Sequence, residues 1–310
     1  KYLILFRSVP YSGGKTLKIS SLRHTTDEER EESIMALVKG VSGADEFEDE
    51  LLPQSRAADW LITKDGFFVC PGVADKKLIQ RYVMAVFYYS TLGEQWAECS
   101  EGDESCGLLN NDFEGQVAYL SPLNECEWAG NTCDEELCID AIVFEENNTV
   151  TGTLPGELGA LDSLQVISLE SQLIGSTIPP GLCDATKLRI IDFDFNKLEG
   201  SIPECIYTLS ALEQLDLNNN MLTGPLSNSI GDLSSLIFLQ LHFNQFTGTI
   251  PESLVNTPIL VGEFQSNNFE GSMPLCVGAP GQTVGAISAD CGTRSGAPIT
   301  CGVGCGCECF

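Results

Sequence analysis

The chain has 310 residues, of which 16 are Lys or Arg and 44 are Asp or Glu, giving a formal net charge of -28. A surface of that sign repels nucleic acid and anionic lipid, so the expected partners are cationic proteins, with divalent cations bridging carboxylates as further candidates. The hydrophobic fraction of 43% is ordinary for a folded protein, and the longest apolar runs are far shorter than the roughly 20 residues of a membrane span.

The N-terminus contains two apolar runs, KYLILFRSVP and KTLKISSL, separated by the turn residues 10–14. This pattern predicts a β-hairpin, and residues 1–25 are treated as an N-terminal hairpin or arm. An isolated two-stranded hairpin is marginal in water. It therefore needs a docking surface, either on the rest of its own chain or on a neighbouring copy.

Three helices are predicted between residues 26 and 93. Thr26 and Glu29 form a capping box that opens a helix ending at Gly40, and helical signals return at SRAADWLI and at DKKLIQRYVMAVFYYSTLG. The acidic DEFEDE segment after the first helix is predicted to be a solvated loop, because it lacks calcium-ligand spacing. The third helix carries an apolar stripe that is usual for a core-facing helix. The stripe consists of Leu78, Tyr82, Val83, Ala85, Val86 and Tyr89.

The chain contains 14 cysteines, which indicate disulfide bonds and an oxidising compartment. Zinc binding is the weaker alternative, since there are only two histidines and no paired Cys-x-x-Cys knuckles. Two short loops, Cys99 to Cys106 and Cys126 to Cys133, are the first candidate disulfides.

A secreted location is supported by one further motif, the sequon Asn147-Asn148-Thr149, which predicts glycosylation of Asn147. Because the chain begins with Lys1 and not with methionine, we expect that a signal segment has been removed. The predicted location is extracellular or at the cell surface.

A repeat organises residues 142–275, and its clearest copy is LEQLDLNNNMLTGPL. One Asn or Gln recurs at steps of 24 residues four times and then 23 residues. A period of this length and regularity predicts a solenoid, here of about six coils. The recurring positions are Asn148, Gln172, Asn196, Asn220, Asn244 and Asn267.

Each copy predicts a short strand followed by an inward turn. Two apolar residues that flank one polar residue, such as Leu215 and Leu217, point inward from a strand, and the Asn then bonds backbone groups that the turn leaves unpaired. No coil buries its own apolar face, so the coils must stack and the ends need caps. The first copy has one extra residue before Asn148, so we expect a distorted strand at Ile142.

These repeats, with their G-x-I-P-x-x-L-x-x-L form, resemble the plant-type leucine-rich repeat. The YYSTLGEQW and CEWAGNTC stretches resemble the N-terminal cap of such proteins, which implies that the third helix and the Cys126 to Cys133 loop cover the first coil. The PQSRAADWL and ISADC…CGCEC segments resemble secreted or surface repeat proteins of diatoms and related algae. The implied fold is an α/β solenoid, a right-handed leucine-rich-repeat superhelix, with a helical N-terminal cap region at 26–141 and a Cys-rich C-terminal cap at 276–310.

The remaining cysteines fall in and after the repeats. Cys183 and Cys205 follow the prolines of successive coils and either bridge these coils on the convex side or remain buried free thiols. Beyond the repeats, Cys276, Cys291, Cys301, Cys305, Cys307 and Cys309 allow 15 pairings, among which the sequence does not choose.

The side chains that the strands and turns point outward form a set that we call the strand face and expect on the concave side of the solenoid. This face is acidic, and it presents two aromatic residues beside a histidine. We predict that it binds a partner, the alternative being a merely solvated surface. The strand face comprises Ser168, Glu170, Ser171, Asp192, Asp194, Phe195, Asp216, Asn218, Asn219, Gln240, His242, Phe243, Glu263, Gln265 and Ser266.

Catalysis finds no support in the motifs. The chain has no G-x-S-x-G elbow, no H-E-x-x-H motif and no phosphate-binding glycine loop ahead of a helix. Asp192 and Asp194 could imitate a glycosidase pair, but on an open strand face we expect water to keep both pKa values ordinary. No enzyme activity, cofactor or metal centre is predicted.

The predicted function is an extracellular scaffold for protein-protein interaction, specifically a structural subunit of a wall, sheath or fibre. In that reading the hairpin or the repeats contact other copies of the chain. The family resemblance implies two alternatives, a ligand-binding receptor ectodomain and a secreted inhibitor of a glycan-cleaving enzyme.

Overall fold

The computed structural model describes residues 26–67, 75–108, 113–144, 148–275 and 285–290, together with the backbone of strand 308–309. The predicted hairpin at residues 1–25, the glycosylation site at Asn147 and the side chains of the six C-terminal cysteines lie outside this part. Within these ranges, no helix combines the length and the apolar character needed to cross a bilayer.

The N-terminal region contains three helices, α1 (Asp27–Ser42), α2 (Pro53–Thr63) and α3 (Asp75–Ser90). The predicted capping box is confirmed: the Thr26 hydroxyl accepts from the Glu29 amide at 3.1 Å, and the Glu29 carboxylate accepts from the Thr26 amide at 2.9 Å. The predicted end of α1 at Gly40 is wrong. The helix continues to Ser42, because Gly43, with φ of 89°, is the glycine that leaves the helical conformation.

Helix α3 is more deeply buried than its predicted stripe requires. All six stripe residues are buried, and burial extends round the helix from Leu78 to Ser90 with little interruption, because α1 and α2 cover one side and the first coil covers the other. Even Arg81 is fully buried. Its guanidinium donates to Asp65 at 2.9 and 2.5 Å and to Glu125 at 2.9 Å, so the charge is paired on both sides.

The rest of the described chain winds through short strands. In chain order the strands are β1 (Asn131–Cys133), β2 (Ile139–Val143), β3 (Thr151–Thr153), β4 (Val166–Ser168), β5 (Leu173–Gly175), β6 (Ile190–Asp192), β7 (Glu199–Gly200), β8 (Gln214–Asp216), β9 (Met221–Pro225), β10 (Phe238–Gln240), β11 (Gln245–Thr249), β12 (Val261–Glu263), β13 (Asn268–Glu270), β14 (Ala286–Ala289) and β15 (Glu308–Cys309).

Nine strands form one sheet in the order β1-β2-β4-β6-β8-β10-β12-β14-β15. Only the β1–β2 pairing is antiparallel. The expected distortion of the Ile142 strand is confirmed on one side only, because β2 pairs with β4 in regular register. The irregularity lies between β1 and β2, where Asp140 has no paired residue opposite it.

The other sides of each coil follow a fixed order. Strands β13-β11-β9-β7 form a second sheet, and β3-β5 form a third. Short 3-10 helices then return the chain to the next coil, and they are Gly156–Ala160, Pro180–Asp184, Glu204–Thr208, Asn228–Asp232 and Glu252–Asn256. One hydrophobic core runs through the whole stack, from Ile34 in α1 to Ala289 in β14.

The inward Asn ladder is confirmed, and Asn220 shows how it works. Its Oδ1 accepts from the Leu198 amide at 2.9 Å, while its Nδ2 donates to the Phe193 carbonyl at 2.8 Å. Both of those groups belong to the preceding coil, so one buried amide joins two coils. The same pattern recurs at Asn196, Asn244 and Asn267.

Three disulfides are present in the described ranges, and all three were predicted pairs. Cys99–Cys106 and Cys126–Cys133 close the short loops of the N-terminal region. Cys183–Cys205 joins two successive 3-10 helices, which excludes the alternative of two free thiols.

Candidate binding face on the nine-stranded sheet

The strand face is ordered in rows that run across the coils. Asp192 of β6 pairs with Asp216 of β8, which pairs with Gln240 of β10, which pairs with Glu263 of β12. Side chains two residues apart point to the same side of a strand, so the next row begins at Asp194. The structure therefore brings the predicted residues together on one surface.

Three of these residues are not exposed as the sequence predicted. Asp194 is 8% exposed, Asp216 is 5% exposed and Asn218 is 3% exposed. The reason is lateral packing, because neighbouring strands lie only about 4.8 Å apart and their side chains cover one another. The Asn218 amide lies between the two carboxylates, with Nδ2 at 2.5 Å from Asp216 Oδ1 and 3.5 Å from Asp194 Oδ2.

The burial of these carboxylates also contradicts the expectation of ordinary pKa values. Burial raises the pKa of Asp194 to about 7, and repulsion from Asp192, Asp216 and Glu170 adds to the effect. Burial likewise raises the pKa of Asp216 to about 7 and raises the pKa of Asp192. Among the ion pairs of the described residues, none includes any of these three carboxylates.

The acidic cluster is tighter than the carboxyl pair of an inverting glycosidase. One carboxylate oxygen from each of Asp192, Asp194 and Asp216 lies within 4.8 Å of the other two. Glycoside-cleaving carboxyl pairs are separated by about 5–5.5 Å or about 6.5–9.5 Å. The cluster is therefore too tight for the water molecule that an inverting pair holds between its carboxyl groups.

His242 is part of the same face and has a polar and an aromatic neighbour. Its Nδ1 approaches Glu263 Oε2 at 3.0 Å, and its ring centroid lies 5.5 Å from that of Phe243. Burial lowers the pKa of His242, and the Glu263 carboxylate partly opposes this effect. The imidazole is therefore mainly neutral at pH 7.

The two phenylalanines of the strand face combine exposure with an unusual backbone. Phe195 is 52% exposed with φ of 48°, and Phe243 is 53% exposed with φ of 52°. The corresponding turn positions of other coils carry Ser171, Asn219 and Ser266, also with positive φ. A left-handed conformation is unfavourable for a large side chain, by roughly 1–2 kcal/mol. Folding alone gives no reason for phenylalanine at these turns.

Sequence reasoning missed a row of the face at the start of each strand. Phe238 is 38% exposed and lies two residues before Gln240, so the two side chains share one side of β10. Ile190 and Val261 occupy the same row. The two-residue alternation could have identified this row, but the outward set was started at the residue between the inward pair and omitted the residue two positions before it.

The comparisons with known proteins agree with this architecture. A family model described as leucine rich repeat matches residues 186–246. Comparison with curated protein sequences finds no match.

Several solved structures show local similarity to this chain, among them plant proteins. The leucine-rich-repeat ectodomain of the receptor kinase GASSHO1/SCHENGEN3 from Arabidopsis thaliana, in complex with CASPARIAN STRIP INTEGRITY FACTOR 2, aligns at 30% identity and a TM-score of 0.45, over 49% of this chain and 19% of that chain. A plant ice-binding protein aligns at 25% identity and a TM-score of 0.47, over 57% and 63%. A TDR receptor aligns at 34% identity and a TM-score of 0.41, over 43% and 23%.

The present chain spans less than two thirds of each of these proteins. TM-scores below 0.5 do not establish a shared overall shape or function. The repeat frame, the buried Asn ladder and the match over residues 186–246 carry the assignment instead. The solenoid of this chain is a leucine-rich-repeat array.

Proposed function

We propose that this protein is an extracellular, non-enzymatic scaffold that binds a protein partner on the strand face. The observation that carries the proposal is the pair Phe195 and Phe243. Each places more than half of a phenylalanine side chain in solvent, at 52% and 53% exposure, on a backbone that a large residue adopts at a cost. Strained backbone and exposed aromatic groups concentrate at binding sites.

The surroundings of the two phenylalanines define the chemistry of the partner. They lie two coils apart on the strand face, which also carries carboxylates such as Glu170 and Glu263 and the exposed Phe238. A segment with Lys or Arg and an apolar residue would satisfy both features, since a cation also interacts favourably with an aromatic ring. The net charge of -28 supports the same choice of a basic partner.

An extracellular location is supported by the three disulfides of the described ranges. Such bonds persist in oxidising compartments and are reduced in the cytosol. Glycosylation of Asn147 belongs to the same proposal.

The narrower role that we propose is that of a subunit in a wall, sheath or fibre. It rests on the sequence pattern of residues 1–25, whose predicted hairpin needs a docking surface. A receptor ectodomain and a secreted inhibitor are the alternatives. Self-association of the purified protein distinguishes the subunit from both alternatives.

Partner binding can be tested by panning a displayed random-peptide library on the immobilised protein. The test variant is Phe195→Asn with Phe243→Asn, because Asn219 occupies the same turn position in the intervening coil. The control is Leu173→Asn with Val255→Asn, which removes two apolar side chains of 44% and 41% exposure that lie off the strand face.

We expect the library to yield peptides rich in Lys or Arg with apolar residues. Their affinity should fall by about tenfold or more in the phenylalanine variant, consistent with the loss of two interface anchors. The control variant should bind like the unmodified protein. Equal binding to all three proteins, or no enrichment over an unrelated acidic protein, would refute the proposal.

A further inference from the structure

Three carboxylates converge on the strand face from two adjacent coils. Asp192 and Asp216 are paired residues at the ends of β6 and β8, and Asp194 follows two positions after Asp192. One oxygen from each lies within 4.8 Å of the other two. Such a group of negative charges repels itself unless something neutralises it.

A second feature of the cluster is a carboxylate oxygen with no hydrogen-bond donor. Asp194 is more than nine-tenths buried, and its Oδ1 has no hydrogen-bond partner among the described residues. Its Oδ2 has only the Asn218 amide, at 3.5 Å. By contrast, Asp216 Oδ1 accepts from Asn218 at 2.5 Å, and Asp192 Oδ2 is 3.4 Å from the Gln214 amide.

A buried, ionised oxygen without a donor is strongly unfavourable. The neighbouring coils offer it no Lys or Arg, because no ion pair in the described ranges reaches the cluster. An external cation would supply the missing partner.

We propose that Asp192, Asp194 and Asp216 form a calcium-binding site on the strand face. Calcium binds oxygen at about 2.3–2.6 Å, so its ligand oxygens lie up to about 5 Å apart. The observed spacing, within 4.8 Å, fits this limit. Magnesium binds at about 2.0–2.1 Å and so spans at most about 4.2 Å, which makes it the poorer fit.

The protein supplies three of the six to eight oxygens that calcium normally takes. Asp192 is partly exposed, so water can complete the shell from the solvent side of the sheet. With three carboxylates and several waters, the expected Kd is about 0.1–1 mM, the range of extracellular modules. The site does not depend on the proposed partner binding, since calcium alone is the ligand.

The experiment compares calcium binding by the full chain and two isosteric variants. Asp194→Asn removes the unpaired carboxylate, and the frame accepts Asn there because Asn218 holds the same position in the next coil. Asp232→Asn makes the same charge change at an exposed site in the 3-10 helix Asn228–Asp232, away from the cluster. Each protein is treated with EDTA and desalted before the measurement.

Equilibrium dialysis against radiolabelled calcium, at constant ionic strength, measures the number of ions per chain. We expect Asp194→Asn to bind one calcium fewer than Asp232→Asn, or to bind it about tenfold more weakly. Diffuse calcium binding to the acidic surface should be the same in both variants. The difference in calcium bound between them therefore measures binding at the cluster alone. Magnesium in place of calcium should show a smaller difference between the variants.

A thermal scan gives an independent readout. Calcium should raise the Tm of the unmodified protein and of Asp232→Asn, and it should leave Asp194→Asn nearly unchanged. If Asp194→Asn does not fold, Asp192→Ser replaces it, because Ser168 holds that position in the preceding coil. Equal binding and equal Tm shifts in the cluster variant and in Asp232→Asn would overturn the calcium site.

Discussion

Replacement of Asn220 by Leu should cost about 2–4 kcal/mol of unfolding free energy. Asn220 Nδ2 donates to three carbonyls and its Oδ1 accepts from the Leu198 amide. The carbonyls of Phe193 and Asn218 keep other donors after the substitution. The Leu198 amide has no second acceptor among the described hydrogen bonds and would remain buried and unpaired.

The magnitude follows from counting these groups separately. One orphaned buried amide costs about 1–3 kcal/mol, and weakening of the other bonds adds roughly 1 kcal/mol. Leu has the same side-chain branching as Asn but is larger, so the substitution leaves no cavity. Asn256→Leu is the matched control, because Asn256 is exposed at the end of a 3-10 helix and its replacement should stay within about 0.5 kcal/mol.

The assay is equilibrium unfolding in urea, with the slope m compared between proteins. A fall in the midpoint at constant m reports lost stability, whereas a changed m reports separate unfolding of part of the array. Equal midpoints for Asn220→Leu and Asn256→Leu would show that the ladder contributes nothing. Asn218 is predicted from the sequence to point outward, but it cannot serve as the control, because it is 3% exposed and bonded to two carboxylates.

Four further predictions concern the Cys183–Cys205 disulfide, the buried charged groups and self-association. Replacing both Cys183 and Cys205 by Ser should cost about 3 kcal/mol in the chain-entropy model, measured by urea unfolding without reductant, and an unchanged midpoint would contradict it. Arg81→Met should cost about 3–5 kcal/mol because it removes the only ion-pair partner that the described residues give the buried Asp65 and leaves the buried Glu125 paired with Lys77 alone, and a Tm equal to that of the unmodified protein would show otherwise. In EDTA the Tm should fall as the pH rises from 5 to 8, because the folded-state pKa of Asp194, about 7, lies above its unfolded value near 4. The contribution of Asp194 to folding stability is therefore full at low pH and is lost as the pH rises through 7. The dependence of Tm on pH should be weaker in Asp194→Asn, and a Tm that does not change with pH in the unmodified protein would contradict the prediction. Deleting residues 1–22 should abolish self-association by mass photometry, and a truncated protein that still polymerises would exclude the hairpin as the contact.

The sequence predicted those features that depend on local spacing. The ladder could be predicted because each Asn recurs in the same short frame, and the Cys126–Cys133 loop could be predicted because its ends are seven residues apart. The buried state of Asp194 could not be predicted, since it depends on which side chain lies beside it one coil later. The end of α1 is similar, because only the backbone distinguishes Gly40 from Gly43.

The direction of the Asn bonds has a consequence for the order in which the coils form. From Asn196 onward, each ladder side chain accepts from a backbone amide of the preceding coil, 22 residues earlier for Asn196, Asn220 and Asn244 and 21 residues earlier for Asn267. The backbone amide in question is therefore hydrogen-bonded only after the next coil has docked. At synthesis rates of about 5–20 residues per second, each coil leaving the ribosome waits roughly 1–5 s with one exposed amide. During translation, the most recently formed coil of the array therefore always carries an unpaired backbone amide.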